Sequence, residues 1–136
     1  MPSPVAEIPA AEPDLAAAHY AAKLAFETDC SDVHAAIAGA KVDFVLLDVR
    51  SPALFAQSHV PSAMNLPHGK MTAHRMSEWA RDTLFVVYCA GPHCNGADKA
   101  ALRLAQLGLG VKLMIGGMTG WADEGFAFES ETVAAD

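Results

Sequence analysis

The sequence predicts an α/β fold, and three features of the chain carry that reading. Two runs, Val42 to Val49 (VDFVLLDV) and Thr83 to Tyr88 (TLFVVY), are short, nearly continuous apolar stretches of the kind found in strands buried on both faces. Helix-period segments with their own start signals lie between and after them, so strands and helices alternate as they do in a parallel sheet covered by helices. Glycine and proline punctuate the joints. The 136 residues leave room for one domain and a short appendage. With 52% hydrophobic and 18% charged residues, the chain has enough apolar side chain for a core without disulfide staples.

In chain order, residues 1–13 carry four prolines and no regular apolar pattern, which predicts a mobile amino-terminal arm. Residues 14–27 place Leu15, Ala18, Ala22 and Phe26 near one helical face, an accessory helix packed on the domain or on a second copy, so a homodimer is an open expectation. The domain proper is expected over residues 28–130. Ser31 can cap a helix running to Gly39, and Val42 to Val49 then forms a central strand with Asp48 near its end. Ser51 followed by Pro52 reads as an N-cap with proline at the first helical position, opening a short helix through Gln57. HVPSAMNLP, residues 59–67, has prolines near both ends and has room for only a brief edge strand around Ala63 to Leu66.

A helix from about Met71 to Trp79 leads into the second strong strand, which stops at Cys89. After the loop AGPHCN, Gly96 to Leu107 repeats apolar side chains at Ala97, Ala100, Ala101, Leu104 and Leu107, an amphipathic helix with Asn95 as its expected cap. Gly108 and Gly110 end it, Val111 to Ile115 forms a last strand, and Gly116, Gly117 and Gly120 precede a final helical turn near Trp121.

Composition excludes several classes of function. Nine Lys and Arg against sixteen Asp and Glu give a net charge of −7, which offers no basic field for a nucleic-acid backbone. No apolar run approaches the ~20 residues that span a bilayer, so no membrane partner is expected. Met1 to Glu12 lacks the basic start and apolar stretch of a secretion signal, and the expected address is cytoplasmic. Three cysteines, Cys30, Cys89 and Cys94, are an odd number that favours thiol chemistry or burial over a disulfide framework.

Chemistry concentrates at Cys89. Ligands of open α/β sheets bind at the carboxyl ends of strands, and a helix N-terminus there favours anions, thiolate included. The loop Ala90, Gly91, Pro92, His93, Cys94 and Asn95 is the candidate substrate-binding segment around this nucleophile. Asp98 in the first turn partly opposes the field, His93 when protonated would add to it, and Lys99 would offset Asp98 if it turns toward the loop. Metal binding by Cys89, His93 and Cys94 lacks a fourth ligand in the sequence, so no metal is expected.

LLDVR (46–50) followed by SPALFAQSHVPSAMNLP (51–67), VVYC ending at Cys89, and MIGGMTGW (114–121) together resemble the rhodanese-like family of single-domain sulfurtransferases. The resemblance implies a central, mostly parallel sheet of about five strands flanked by helices on both faces. It also implies a mechanism in which Cys89 takes a sulfane sulfur from a small-molecule donor and passes it, as a persulfide, to a thiol or cyanide acceptor. No cofactor is required, and Asp48 and Arg50 would be structural residues near the site.

The chain departs from the family pattern where it matters for substrate. Many members carry Arg or Lys in the loop, and Cys94 stands where an Arg is common, so an anionic donor such as thiosulfate would rely on amides and His93. Asn95 fills the position that Cys-x5-Arg phosphatases give to Arg, which disfavours phosphatase chemistry. Ser62 stands where the family often has Gly, a change expected to alter a turn. Cys94 reads either as a resolving thiol that attacks a Cys89 persulfide or forms a disulfide, or as a small residue packing the loop. A thiol–disulfide redox protein using Cys89 and Cys94, and a non-catalytic binding module, are the alternatives to an enzyme of sulfur transfer. Cys30 reads as structural.

Overall fold

The computed structural model describes residues 1–131. Helix α1 spans Pro13–Phe26 and runs directly into strand β1, Glu27–Asp29, after which come α2 (Cys30–Ala38), β2 (Val45–Asp48), α3 (Pro52–Gln57) and β3 (Met64–Asn65). A 3-10 turn at His68–Lys70 leads to α4 (Ala73–Met76), then β4 (Leu84–Tyr88), α5 (Gly96–Gln106), β5 (Gly110–Ile115) and α6 (Gly117–Asp123). The sheet has five strands in the order β1-β5-β4-β2-β3, and every neighbouring pair is parallel. The expected α/β architecture with a parallel sheet of five strands is therefore present.

Alternation along the central strands builds two cores. Phe85, Val87 and Cys89 point to one face with Leu47, and there they meet Ala97, Ala100 and Leu104 of α5 and Met76 of α4. Val86 and Tyr88 point to the other face with Leu46, against Cys30 and Val33 of α2 and Trp121 of α6. Helices thus cover both faces, and β4 lies between β2 and β5. Such doubly covered strands must be apolar on every residue, which is why LFVVY carries no polar alternation.

The local starts and stops differ from expectation in informative ways. Asp29, not Ser31, caps α2, with its carboxylate accepting the Asp32 amide at 2.8 Å. Strand β2 is only Val45–Asp48, because Val42 lies 43% exposed outside the sheet. The helix expected over Met71 to Trp79 is a single turn, started by Thr72 accepting the Arg75 amide at 3.0 Å. Strand β1 has the polar sequence Glu-Thr-Asp and exists because β5 offers it a free edge. Ser51 and Pro52 do open α3, with the Ser51 hydroxyl 3.4 Å from the Leu54 amide. Ser62 sits at φ +74°, the left-handed turn conformation that favours glycine.

Residues 1–12 are exposed throughout, and α1 starts at Pro13. Helix α1 touches β1 and β5 yet buries none of its residues, leaving Leu15, Tyr20, Leu24 and Phe26 open. No helix among the described residues is long and apolar enough to cross a membrane.

Candidate active site

The site begins where β4 ends. Cys89 follows Tyr88 at the carboxyl end of the strand and is 7% exposed, on the face it shares with α5. The loop then turns back on itself: the Cys94 amide donates to the Gly91 carbonyl at 3.0 Å, a turn that brings Cys94 over Cys89. The two cysteines are joined by a disulfide, with their Cα atoms 6.4 Å apart, and Cys30 remains a free, buried thiol. Cys94 stands on the solvent side, partly exposed.

Gly96, the first residue of α5, makes this arrangement possible. A β-carbon there would lie 2.9 Å from Cys89 Sγ and 3.5 Å from Cys94 Sγ, so the bare glycine leaves the space both sulfurs occupy. Asn95 precedes it without a side-chain cap, contrary to expectation; its φ of −96° and ψ of 14° depart from the extended geometry that caps adopt. Its carbonyl accepts the Lys99 amide at 3.0 Å, and the amides of Gly96, Ala97 and Asp98 open the helix with no intrahelical acceptor.

The loop is held from the opposite side by α6, a contribution that the sequence reading missed. The Met118 amide donates to the Cys89 carbonyl at 3.1 Å, and the Thr119 amide and hydroxyl donate to the Ala90 carbonyl at 3.0 and 3.1 Å. Gly116 and Gly117 take φ values of +89° and +54°, and a side chain at Gly117 would collide with the Cys89 carbonyl. The Gly-Gly doublet after an apolar strand was the available signal, since both the positive φ and the close approach demand glycine. Gly91 is similarly confined, 2.6 Å from Thr119 Oγ1 to the site of a β-carbon.

A cavity of about 190 Å³ opens beside the sulfurs, lined by Cys89, Cys94, Pro92, Glu27, Asp98 and Gly117 among others. Two acidic residues and no Lys or Arg belong to its lining. Glu27 comes from the unanticipated strand β1 and is ion-paired at 2.9 Å with Lys23 of α1. His93 and Asn95 are exposed and do not line the cavity, nor does Lys99. Among the described residues no group of three or more His, Cys, Asp or Glu is placed to hold a metal ion.

Asp48 and Arg50 belong to a buried network on the other face of the sheet. Asp48 accepts the Tyr88 hydroxyl at 2.7 Å and Arg50 Nη2 at 2.7 Å, while Arg50 also donates to the Ser58 carbonyl at 2.6 Å. Tyr88 Oη in turn accepts the Val60 amide at 3.1 Å. Burial first, then the Asp48 charge and hydrogen bond, push the Tyr88 hydroxyl far above its ordinary pKa, so it stays protonated as Asp48's donor. The network therefore positions the residue before Cys89 and touches no cavity atom. His59, buried with Nδ1 2.8 Å from the Phe55 carbonyl, ties α3 to the chain near Glu129 through paired backbone bonds.

Fold and site together define an α/β domain presenting a strand-end cysteine in a loop that leads into a helix. The chain belongs to the rhodanese-like domain family, whose profile matches residues 29–124. A sulfurtransferase from Allochromatium vinosum is 38% identical over 86 residues, 61% of this chain and 76% of that protein. An HTH-type transcriptional regulator from Mycobacterium tuberculosis is 33% identical over 79 residues, so that 58% of this chain matches 34% of the regulator's length. The crystal structure of a Bacillus halodurans protein, 35% identical, superposes with a TM-score of 0.84 over 88% of each chain.

Cys30 is chemically distinct from the pair. It is 4% exposed, and its thiol contacts the Ile115 and Gly117 carbonyls at 3.5 and 3.6 Å. Burial, reinforced by Asp29 and Glu124, raises its pKa from 9.0 to about 11. A raised folded-state pKa leaves its stabilising contribution intact below pH 9 and removes it as the pH climbs from 9 towards 11. In fully reduced protein, iodoacetamide at neutral pH should spare Cys30, as read by peptide mass mapping, until the chain is unfolded or the pH nears 11. Labelling of Cys30 at neutral pH as fast as in urea would contradict this.

Proposed function

We propose that this protein is a sulfurtransferase that carries a sulfane sulfur on Cys89. One observation supports this reading above the others: the side chain of Cys89 ends the central strand at a cavity of about 190 Å³, with the first turn of α5 beside it. That position meets the requirements of a nucleophile held by its backbone, and the family and the Allochromatium sulfurtransferase point to the same chemistry.

In the first half-reaction the Cys89 thiolate attacks the donor's sulfane sulfur, forming a sulfur–sulfur bond as the bond to the donor's remainder breaks and its electron pair leaves with that group. In the second, a thiol or cyanide attacks the outer sulfur and Cys89 departs as thiolate. The open amides of the α5 terminus favour the negative charge that each step moves through the site. Asp98 acts the other way on a dianion such as thiosulfate, while Lys23 balances the charge of Glu27 and no Lys or Arg of the lining attracts the donor, so the lining suits an organic persulfide or another donor of low charge.

With cyanide in excess, the reduced protein should form thiocyanate above background from glutathione persulfide or polysulfide, and more slowly from thiosulfate. Cys89→Ser should lower that rate by about 10³-fold or more. Background rates with every donor, or an undiminished rate in Cys89→Ser, would overturn the reading.

The bond between Cys89 and Cys94 favours a second reading, a thiol–disulfide redox protein that cycles between dithiol and disulfide without any sulfane sulfur. Its signature is turnover of a small disulfide with a dithiol reductant, lost in Cys94→Ser; full retention in that variant dismisses it.

A further inference from the structure

We infer that Cys94 is a resolving thiol that makes this site a sulfide-releasing one, with sulfane sulfur as oxidant and a dithiol as final reductant. The inference rests on the persulfide reading of Cys89 and goes beyond it by naming the product, the attacking atom and the class of reductant.

Three observations carry it. First, the Gly91–Cys94 turn and the bare Gly96 bring Cys94 Sγ within bonding reach of Cys89 Sγ, the inner sulfur of a Cys89 persulfide. Second, Cys89 is 7% exposed while Cys94 lies on the solvent side, so an outside thiol meets Cys94 before it meets the persulfide's inner sulfur. A thiol held in place by its own loop reacts at an effective concentration no dissolved thiol attains. Third, no Lys or Arg lines the cavity that would hold the outer sulfur, so among its lining groups only the backbone amides of the α5 terminus oppose that sulfur's departure as an anion.

The step balances within the site. Cys94 thiolate attacks Cys89 Sγ; the bond from that atom to the outer sulfur breaks, and the outer sulfur leaves as hydrosulfide, taking the electron pair and the proton released by Cys94. Two thiol sulfurs are oxidised to the Cys89–Cys94 disulfide and one sulfane sulfur is reduced to sulfide. A dithiol, attacking first at the more exposed Cys94, then returns both cysteines to thiols.

The test uses the whole chain, reduced and freed of reductant, with one equivalent of glutathione persulfide carrying heavy-isotope sulfur. Wild-type protein should release heavy sulfide with no added thiol and end two hydrogens lighter than the reduced chain, with Cys89 and Cys94 linked. Cys94→Ser and Cys94→Ala should instead end as the Cys89 persulfide, with sulfide release reduced at least tenfold, and circular dichroism should show each variant folded. A persulfide that persists equally in wild type and both variants overturns the inference while leaving the sulfurtransferase reading standing. Release by Cys94→Ala as fast as by wild type, or heavy sulfur mapped to Cys94, likewise overturns it. Absence of both uptake by the variants and release by wild type overturns the inference and the reading beneath it.

Discussion

The site depends on a backbone clamp. The carbonyls of Cys89 and Ala90 accept the Met118 and Thr119 amides, and this pair of bonds fixes the first residues after the central strand against the start of α6. Two consecutive glycines in left-handed conformations bring the α6 backbone close enough to make them. Without the clamp, a loop containing Gly91 and Pro92 has few internal constraints, and the two cysteines five positions apart have no reason to meet. With it, the loop's remaining freedom is taken up by the Gly91–Cys94 turn, and both sulfurs settle over Gly96.

The sheet supplies the rigid base for this clamp by separating two tasks across its faces. On one face, Cys89 continues the row of Phe85 and Val87 that packs on α5, so it is the last member of a core stripe and its backbone is held in place. On the other, Tyr88 reaches Asp48, which holds Arg50, which holds the Ser58 carbonyl. A fully buried carboxylate shared by a phenol and a guanidinium locks the ends of β2 and β4 together, and losing one partner of such a pair costs about 3–5 kcal/mol. Asp48 and Arg50 thereby position the strand end from behind, and neither lines the cavity beside Cys89.

Much of this architecture is legible in the residues, and the exceptions have physical causes. The strand ending at Cys89 and helix α5 can be read from apolar periodicity alone, because their pattern is set by burial on two faces and on one. Ser51 and Pro52 announce α3 because their geometry is local. Strand β1 is invisible, since Glu27 to Asp29 are polar and become a strand only through pairing with β5, and with it the place of Glu27 in the cavity lining is missed. The meeting of Cys89 and Cys94 was one of two open readings of Cys94, because their spacing does not by itself dictate a turn. The choice is made by Gly96, the residue directly after the loop, and by α6, which lies beyond a whole helix and strand in sequence. Asn95, a strong cap by residue type, leaves α5 uncapped because the turn before it sets its backbone.

The central claim is that the fold itself holds Cys94 against Cys89. Its most direct measurement is a non-reducing peptide map of the folded chain after brief exposure to glutathione disulfide, quenched with acid. The expected product is an intramolecular Cys89–Cys94 link, with Cys30 still a thiol and mixed glutathione disulfides only transient. Stable glutathione adducts on Cys94 beside an unlinked Cys89, or links that join Cys89 to Cys30 or to another chain, would contradict it.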